Sequence, residues 1–98
     1  MKMLFIVTDS EYEPHCLKMM REKGISGYTM IHDVSGVGKG GAKMGDRLHP
    51  GASVLIMSAI EDSTVEGIMG CISQCVRSSK LCESTHAWVV PIEASLTI

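Results

Sequence analysis

The sequence predicts an α+β domain: one antiparallel four-stranded sheet with two helices on one face. Three observations predict it. Apolar runs of strand length alternate with amphipathic helical stretches in the order β-α-β-β-α-β. The 98 residues suit one domain and are too few for two. Two S-x-x-E sequences, at 10–13 and 63–66, each stand between an apolar run and a helical stretch.

The first strand is Lys2–Thr8. It is apolar on both faces, with Met3, Phe5 and Val7 on one and Leu4 and Ile6 on the other, as in a strand covered on both sides. Ser10-Glu11-Tyr12-Glu13 has the form of a capping box, while Pro14 favours a helix start at its own position. Either start leads to a helix ending near Lys23, with Cys16, Leu17 and Met20 inward and Gly24 as its stop. Tyr28–Ser35 reads as a second strand, and His32 and Asp33 mark it as an edge. A long interruption, Gly36 to Ala52, precedes a third strand, Ser53–Glu61, again apolar on both faces. Ser63-Thr64-Val65-Glu66 then opens a helix that ends near Ser79. Its stripe is Val65, Ile68, Met69, Ile72 and Val76. The fourth strand is His86–Val90, stopped by Pro91, and the tail 92–98 carries no pattern.

This βαββαβ order is the ferredoxin-like, split-βαβ arrangement. Two helices cover one sheet face only, yet the first and third strands are apolar on both. A second copy of the chain is the simplest cover for the other face, which predicts an oligomer.

Composition excludes several classes. The net charge is −2 and aromatic residues make up 4%, against a nucleic-acid surface of basic residues and stacking rings. The run Leu4–Val7 is too short for a secretory h-region, and no run approaches a membrane span. The expected setting is the cytoplasm, where Cys16, Cys71, Cys75 and Cys82 would be free thiols.

The interruption is the most informative segment. Residues 36–51 hold six of the ten glycines, with Lys39, Lys43 and Arg47 against one acid, Asp46. Glycines let backbone N–H groups approach an anion and the cations supply charge, so a phosphate-type site is one reading. A flexible hairpin with solvated lysines is the other. The segment is neither a Walker sequence nor a dinucleotide fingerprint, because a strand follows it rather than a helix. Its glycines predict mobility over 37–50 when no ligand is bound.

Gly27-Tyr28-Thr29, Val34-Ser35-Gly36-Val37-Gly38-Lys39 and Trp88-Val89-Val90-Pro91-Ile92-Glu93 resemble the P-II nitrogen regulatory proteins and their P-II-like relatives. The resemblance covers nearly the whole chain. It implies a homotrimeric, non-enzymatic signalling protein that binds ATP or ADP in clefts between subunits. It also implies contact with an enzyme or membrane transporter through the long loop, here 36–52. By the same resemblance Thr29 would meet the base, and Gly36, Gly38 and Lys39 the phosphates. Gly40 stands where the family has a Gln that helps hold Mg²⁺ and 2-oxoglutarate. The loop carries no Tyr for uridylylation. The second loop, 78–86, has no glycine, and Lys80 is a displaced version of its lysine. The family's two C-terminal arginines are missing. The pattern is that of a divergent P-II-like protein.

Cys71 and Cys75 share a helix face one turn apart. Such a pair can hold two positions of a zinc site, with Cys82 or His86 adding more, but small core fillers are the plainer reading. His15 should face solvent. His32 and His49 keep open an alternative, a trimeric divalent-metal-binding protein of the cation-tolerance type, which shares this architecture. Glu61 and Asp62 read as helix N-terminal charge. No catalytic set of residues stands out.

Overall fold

The computed structural model describes residues 1–38, 41–43, 52–79 and 84–96. The principal strands are β1 (Lys2–Asp9), β2 (Thr29–Val34), β5 (Ser53–Ile60) and β6 (His86–Pro91), and the helices are α1 (Glu13–Glu22) and α2 (Val65–Ser78). The strands form one sheet in the order β2-β5-β1-β6, and every neighbouring pair is antiparallel. This is the predicted ferredoxin-like arrangement. Inside the predicted interruption there is one addition. Two short strands, β3 (Gly36–Gly38) and β4 (Gly41–Lys43), pair as a separate two-stranded ribbon. The remainder of the 37–50 span expected to be mobile lies outside the described residues.

The core follows the period of two in the central strands. Leu4, Ile6, Val54, Ile56 and Ile60 are buried beneath the helices, against Cys16 and Met20 of α1 and Ile68 and Ile72 of α2. Leu17, Val65, Met69 and Val76 pack half-buried around them. The opposite face carries Met3, Phe5 and Val7. Cross-strand register sets Phe5 beside both Met57 and Trp88, Met3 beside Val90, and Leu55 beside Ile31. In the single chain Trp88 is 51% and Ile31 47% exposed. The apolar surface left without cover is therefore the Met3/Phe5/Val7 face.

Three local expectations are corrected. Neither S-x-x-E sequence closes as a capping box. Ser10–Tyr12 and Asp62–Thr64 are 3-10 turns, and no side chain caps the start of either turn or of either helix. Ser10 and Ser63 lie inside these turns rather than at the extended position ahead of a helix, and Glu13 is engaged by His32 instead. The second correction is a break in β2. Its register with β5 shifts between Ile31 and Val34, and Asp33 takes φ +56°. One extra residue in a strand produces such a bulge, and Asp tolerates the left-handed region better than most side chains. Third, β6 includes Pro91, paired with Lys2; on an edge strand a missing N–H costs little.

The turn after α1 behaves as expected. Gly24 has φ +80°, and the N–H of Ile25 returns to the Met20 carbonyl, closing the helix end. The following segment is fastened to β5 where the Ser58 hydroxyl donates to the Gly27 carbonyl.

Candidate functional site

The segment with the clearest chemistry, the glycine-rich stretch, leaves and rejoins the sheet at one end. Val34, the last residue of β2, is paired with Ser53, the first of β5. Ser53 is paired on its other side with Asp9, the last residue of β1. The two stems of 36–52 are thus held side by side at the end of the sheet where β1 turns into α1.

The β1–α1 turn is tied to everything around it. The Ser10 N–H donates to the Ala52 carbonyl at 2.9 Å, fixing the return of the glycine-rich segment. The hydroxyls of Thr8 and Thr85 are both buried and share a 2.7 Å hydrogen bond. The Ser84 hydroxyl donates to Asp9 Oδ2 at 3.3 Å. Tyr12 is buried, and its hydroxyl meets Cys75 Sγ in the last turns of α2 at 2.6 Å. The segment 80–83, which carries Lys80, therefore has its stems fastened to the same turn. Cys75 lies five positions before Lys80, and Ser84 and Thr85 follow the segment directly.

The sequence-derived candidates divide accordingly. Gly36 and Gly38 are in β3 at this end of the sheet. Thr29 opens β2 and is paired with Met57, so it sits toward the other end. About 17 Å of strand separates it from Val34, at roughly 3.3 Å per residue. One chain does not bring Thr29 beside Gly36. Lys39, Gly40 and Lys80 lie outside the described residues.

The remaining polar candidates have local partners. His15 is exposed and stacks at a tilt on Tyr12, with ring centroids 4.7 Å apart. His32 Nε2 lies 3.3 Å from Glu13 Oε1, joining the bulge of β2 to the start of α1. Cys71 and Cys75 are half-buried against the core, as small core fillers would be. Among the described residues no three His, Cys, Asp or Glu side chains gather to hold a metal ion; His49 and Cys82 fall outside them. His86 stacks on Trp88 with centroids 5.8 Å apart.

Sequence reasoning missed Thr8, Asp9, Ser84 and Thr85. The signal available was Thr8, a hydroxyl at an inward position of a strand otherwise filled with Leu4 and Ile6. A buried polar group implies a buried partner, but Thr85 is 77 positions away and no local pattern names it.

At the opposite end of the sheet the β5–α2 turn is exposed. The Met1 ammonium lies 2.7 Å from Asp62 Oδ1. That hydrogen bond outweighs an opposing desolvation and, with lesser help from the positive charges of Met1 and Lys2, holds the Asp62 carboxyl below its ordinary value. Among the described residues no helix is long and apolar enough to cross a membrane.

Solved structures share the fold. CPII from Thiomonas intermedia K12, a nitrogen regulatory PII-like protein bound to ADP, AMP and bicarbonate, superposes with a TM-score of 0.75 at 18% identity. That match covers 91% of this chain and 88% of CPII. The same protein bound to ADP, AMP and acetate gives a TM-score of 0.77 at 17% identity, covering 97% and 88%. A PII-like signaling protein from Thermus thermophilus gives 0.62 at 18% identity, covering 90% and 80%. No curated protein matches the sequence. The family model of nitrogen regulatory protein P-II matches residues 1–98, and the chain belongs to the P-II family.

Proposed function

We propose that the protein is a cytoplasmic P-II-like regulator and not an enzyme. It binds a small anionic effector, an adenine nucleotide, in clefts between the subunits of a homotrimer. It acts on a partner enzyme or transporter through the segment 36–52. The observation that carries this reading is convergence. The glycine-rich segment and the segment holding Lys80 leave the fold at one end of the sheet, on either side of one turn. Glycines supply approachable N–H groups, and Lys39 and Lys80 supply charge for a phosphate. The ADP and AMP held by CPII on the same fold support the choice of ligand.

Two features favour a site completed by a second subunit. Thr29, the base-contacting candidate, lies far along β2 from Gly36 within one chain. The apolar face of Phe5, Met57, Leu55 and Trp88 is uncovered in the single chain, and exposed apolar patches of this kind mark association surfaces. Sedimentation at micromolar concentration should give a trimer.

Calorimetric titration of ADP into wild type and Lys39→Ala tests the ligand assignment. A charge-assisted contact is worth about 1.5–3 kcal/mol, so the substitution should weaken binding about 10- to 150-fold. Equal binding by the variant would place the phosphate elsewhere. No binding by wild type at millimolar ADP would retire the nucleotide and leave the architecture.

A further inference from the structure

We infer that the Thr8–Tyr12 turn is a coupling element. It holds the residues that flank the glycine-rich and Lys80-bearing segments, 34–38 and 52–54 on one side and 84–87 on the other, as one hydrogen-bonded unit, so that loosening or protecting one flank does the same to the other. Thr8 and Asp9 act as positioning residues without touching the ligand. The functional meaning of this rests on the proposed site, while its mechanics rest on the hydrogen bonds alone.

Within five residues the turn contacts three elements: the last turns of α2 through Tyr12, the approach to β6 through Thr8 and Asp9, and the start of β5 through Ser10. Ser53 is the link across the sheet, paired with Asp9 on one side and Val34 on the other. A shift of Ser84 and Thr85 therefore reaches β2, and with it the glycine ribbon, through two side-chain hydrogen bonds and then the paired backbone of Asp9, Ser53 and Val34. The Thr8–Thr85 bond is buried, so breaking it exposes no water to replace either partner. Such a joint moves as a whole or not at all. The β5–α2 turn at the other end has nearly the same backbone, with Glu61 at φ −68°, ψ 147° against Asp9 at −63°, 144°. It has no comparable set of ties among the described residues: Asp62 and Ser63 are exposed, and Asp62 pairs with Met1. The ties to α2 and to the approach of β6 are therefore a property of the Thr8, Asp9 and Tyr12 side chains and not of the turn geometry.

Hydrogen–deuterium exchange on the full chain tests it, using Ser84→Ala, Thr8→Val and Thr8→Ser. Ser84→Ala removes one half-exposed hydroxyl and does not threaten the core. It should speed exchange at 84–87, and also at 34–38 and 53–54, by about two- to tenfold. Exchange at 60–66 should stay as in wild type. Thr8→Val should show the same pattern more strongly, and Thr8→Ser, which keeps the hydroxyl, should resemble wild type. Acceleration confined to 84–87 would overturn the coupling. So would equal acceleration through 60–66, which is general loosening, or a Thr8→Ser profile like that of Thr8→Val. ADP added to wild type should protect 34–38 and 84–87 together; protection of one alone also overturns the coupling. Should ADP protect neither, the nucleotide reading fails, and the comparison of variants still decides the mechanics.

Discussion

The two strand-to-helix turns of this chain are near copies in backbone and opposites in environment. Each runs from an extended residue through three residues of 3-10 turn into a helix, from Asp9 to Glu13 and from Glu61 to Val65. The position before the extended residue faces the core in both. It is Thr8 in the first and Ile60 in the second, buried to 1% and 3% exposure. Ile60 needs only apolar neighbours. Thr8 needs a hydrogen-bond partner, and the chain brings Thr85 to it. The difference teaches where this fold places specific ties and where it relies on packing. The packed end meets solvent, while the tied end carries both glycine-rich and Lys80-bearing segments.

Breaking the packed end should have the largest effect on stability. Ile60→Ala removes buried methyl groups and should cost about 2–5 kcal/mol. Urea melts at fixed protomer concentration would measure it, since the proposed trimer would make stability concentration-dependent. Nucleotide affinity of the folded variant should remain near wild type. A selective loss of affinity would show that the two ends are not separable.

Breaking the tied end should cost less and reveal more. Thr8→Val leaves the Thr85 hydroxyl buried without its partner and should destabilise by about 1–3 kcal/mol. Thr8→Val with Thr85→Val replaces both hydroxyls by apolar groups of similar shape and should recover much of that loss. The double-mutant cycle isolates the pair. Additive losses would mean that the two hydroxyls contribute independently and the bond itself little.

The same contrast explains what could be read in advance. Which face of the sheet the helices cover was not legible, because β1 and β5 are apolar on both faces, but element order was, because their apolar runs and the 3.6-residue stripe of α2 are local signals. Gly24 was legible as a helix stop for the same reason. The bulge at Asp33 was not, because one extra residue leaves the composition of a strand unchanged and shows only in its pairing with β5. The S-x-x-E sequences misled because sequence spacing does not say whether Ser sits ahead of a helix or within a 3-10 turn. The candidate site was legible as a candidate in its glycines and lysines, which carry chemistry by type, while Lys39, Gly40 and Lys80 lie outside the described residues. It was not legible in Thr8, Asp9, Ser84 and Thr85, whose meaning depends on partners at least 75 positions away.

The smallest effect belongs to Asp62, and it sharpens the contrast by its sign with pH. Its carboxyl is held below the ordinary value first by the hydrogen bond to the Met1 ammonium, then by the charges of Met1 and Lys2. A carboxyl whose folded pKa is lowered adds stability above its unfolded value, about 3.9, and loses it as pH falls through the lower folded value. Asp62→Asn should therefore destabilise slightly at neutral pH. The gap from wild type should close as the solution is acidified below about pH 4. Because the pair is exposed, added salt should shrink the same gap at neutral pH. Blocking the Met1 amine should reproduce the variant's behaviour in the wild-type sequence. The Thr8→Val deficit should show no such dependence on salt, because two hydroxyls carry no charge to screen. Thermal melts of both variants at low and high salt would separate them, and a gap for Asp62→Asn that ignores both salt and pH would show that the ion pair is not its cause.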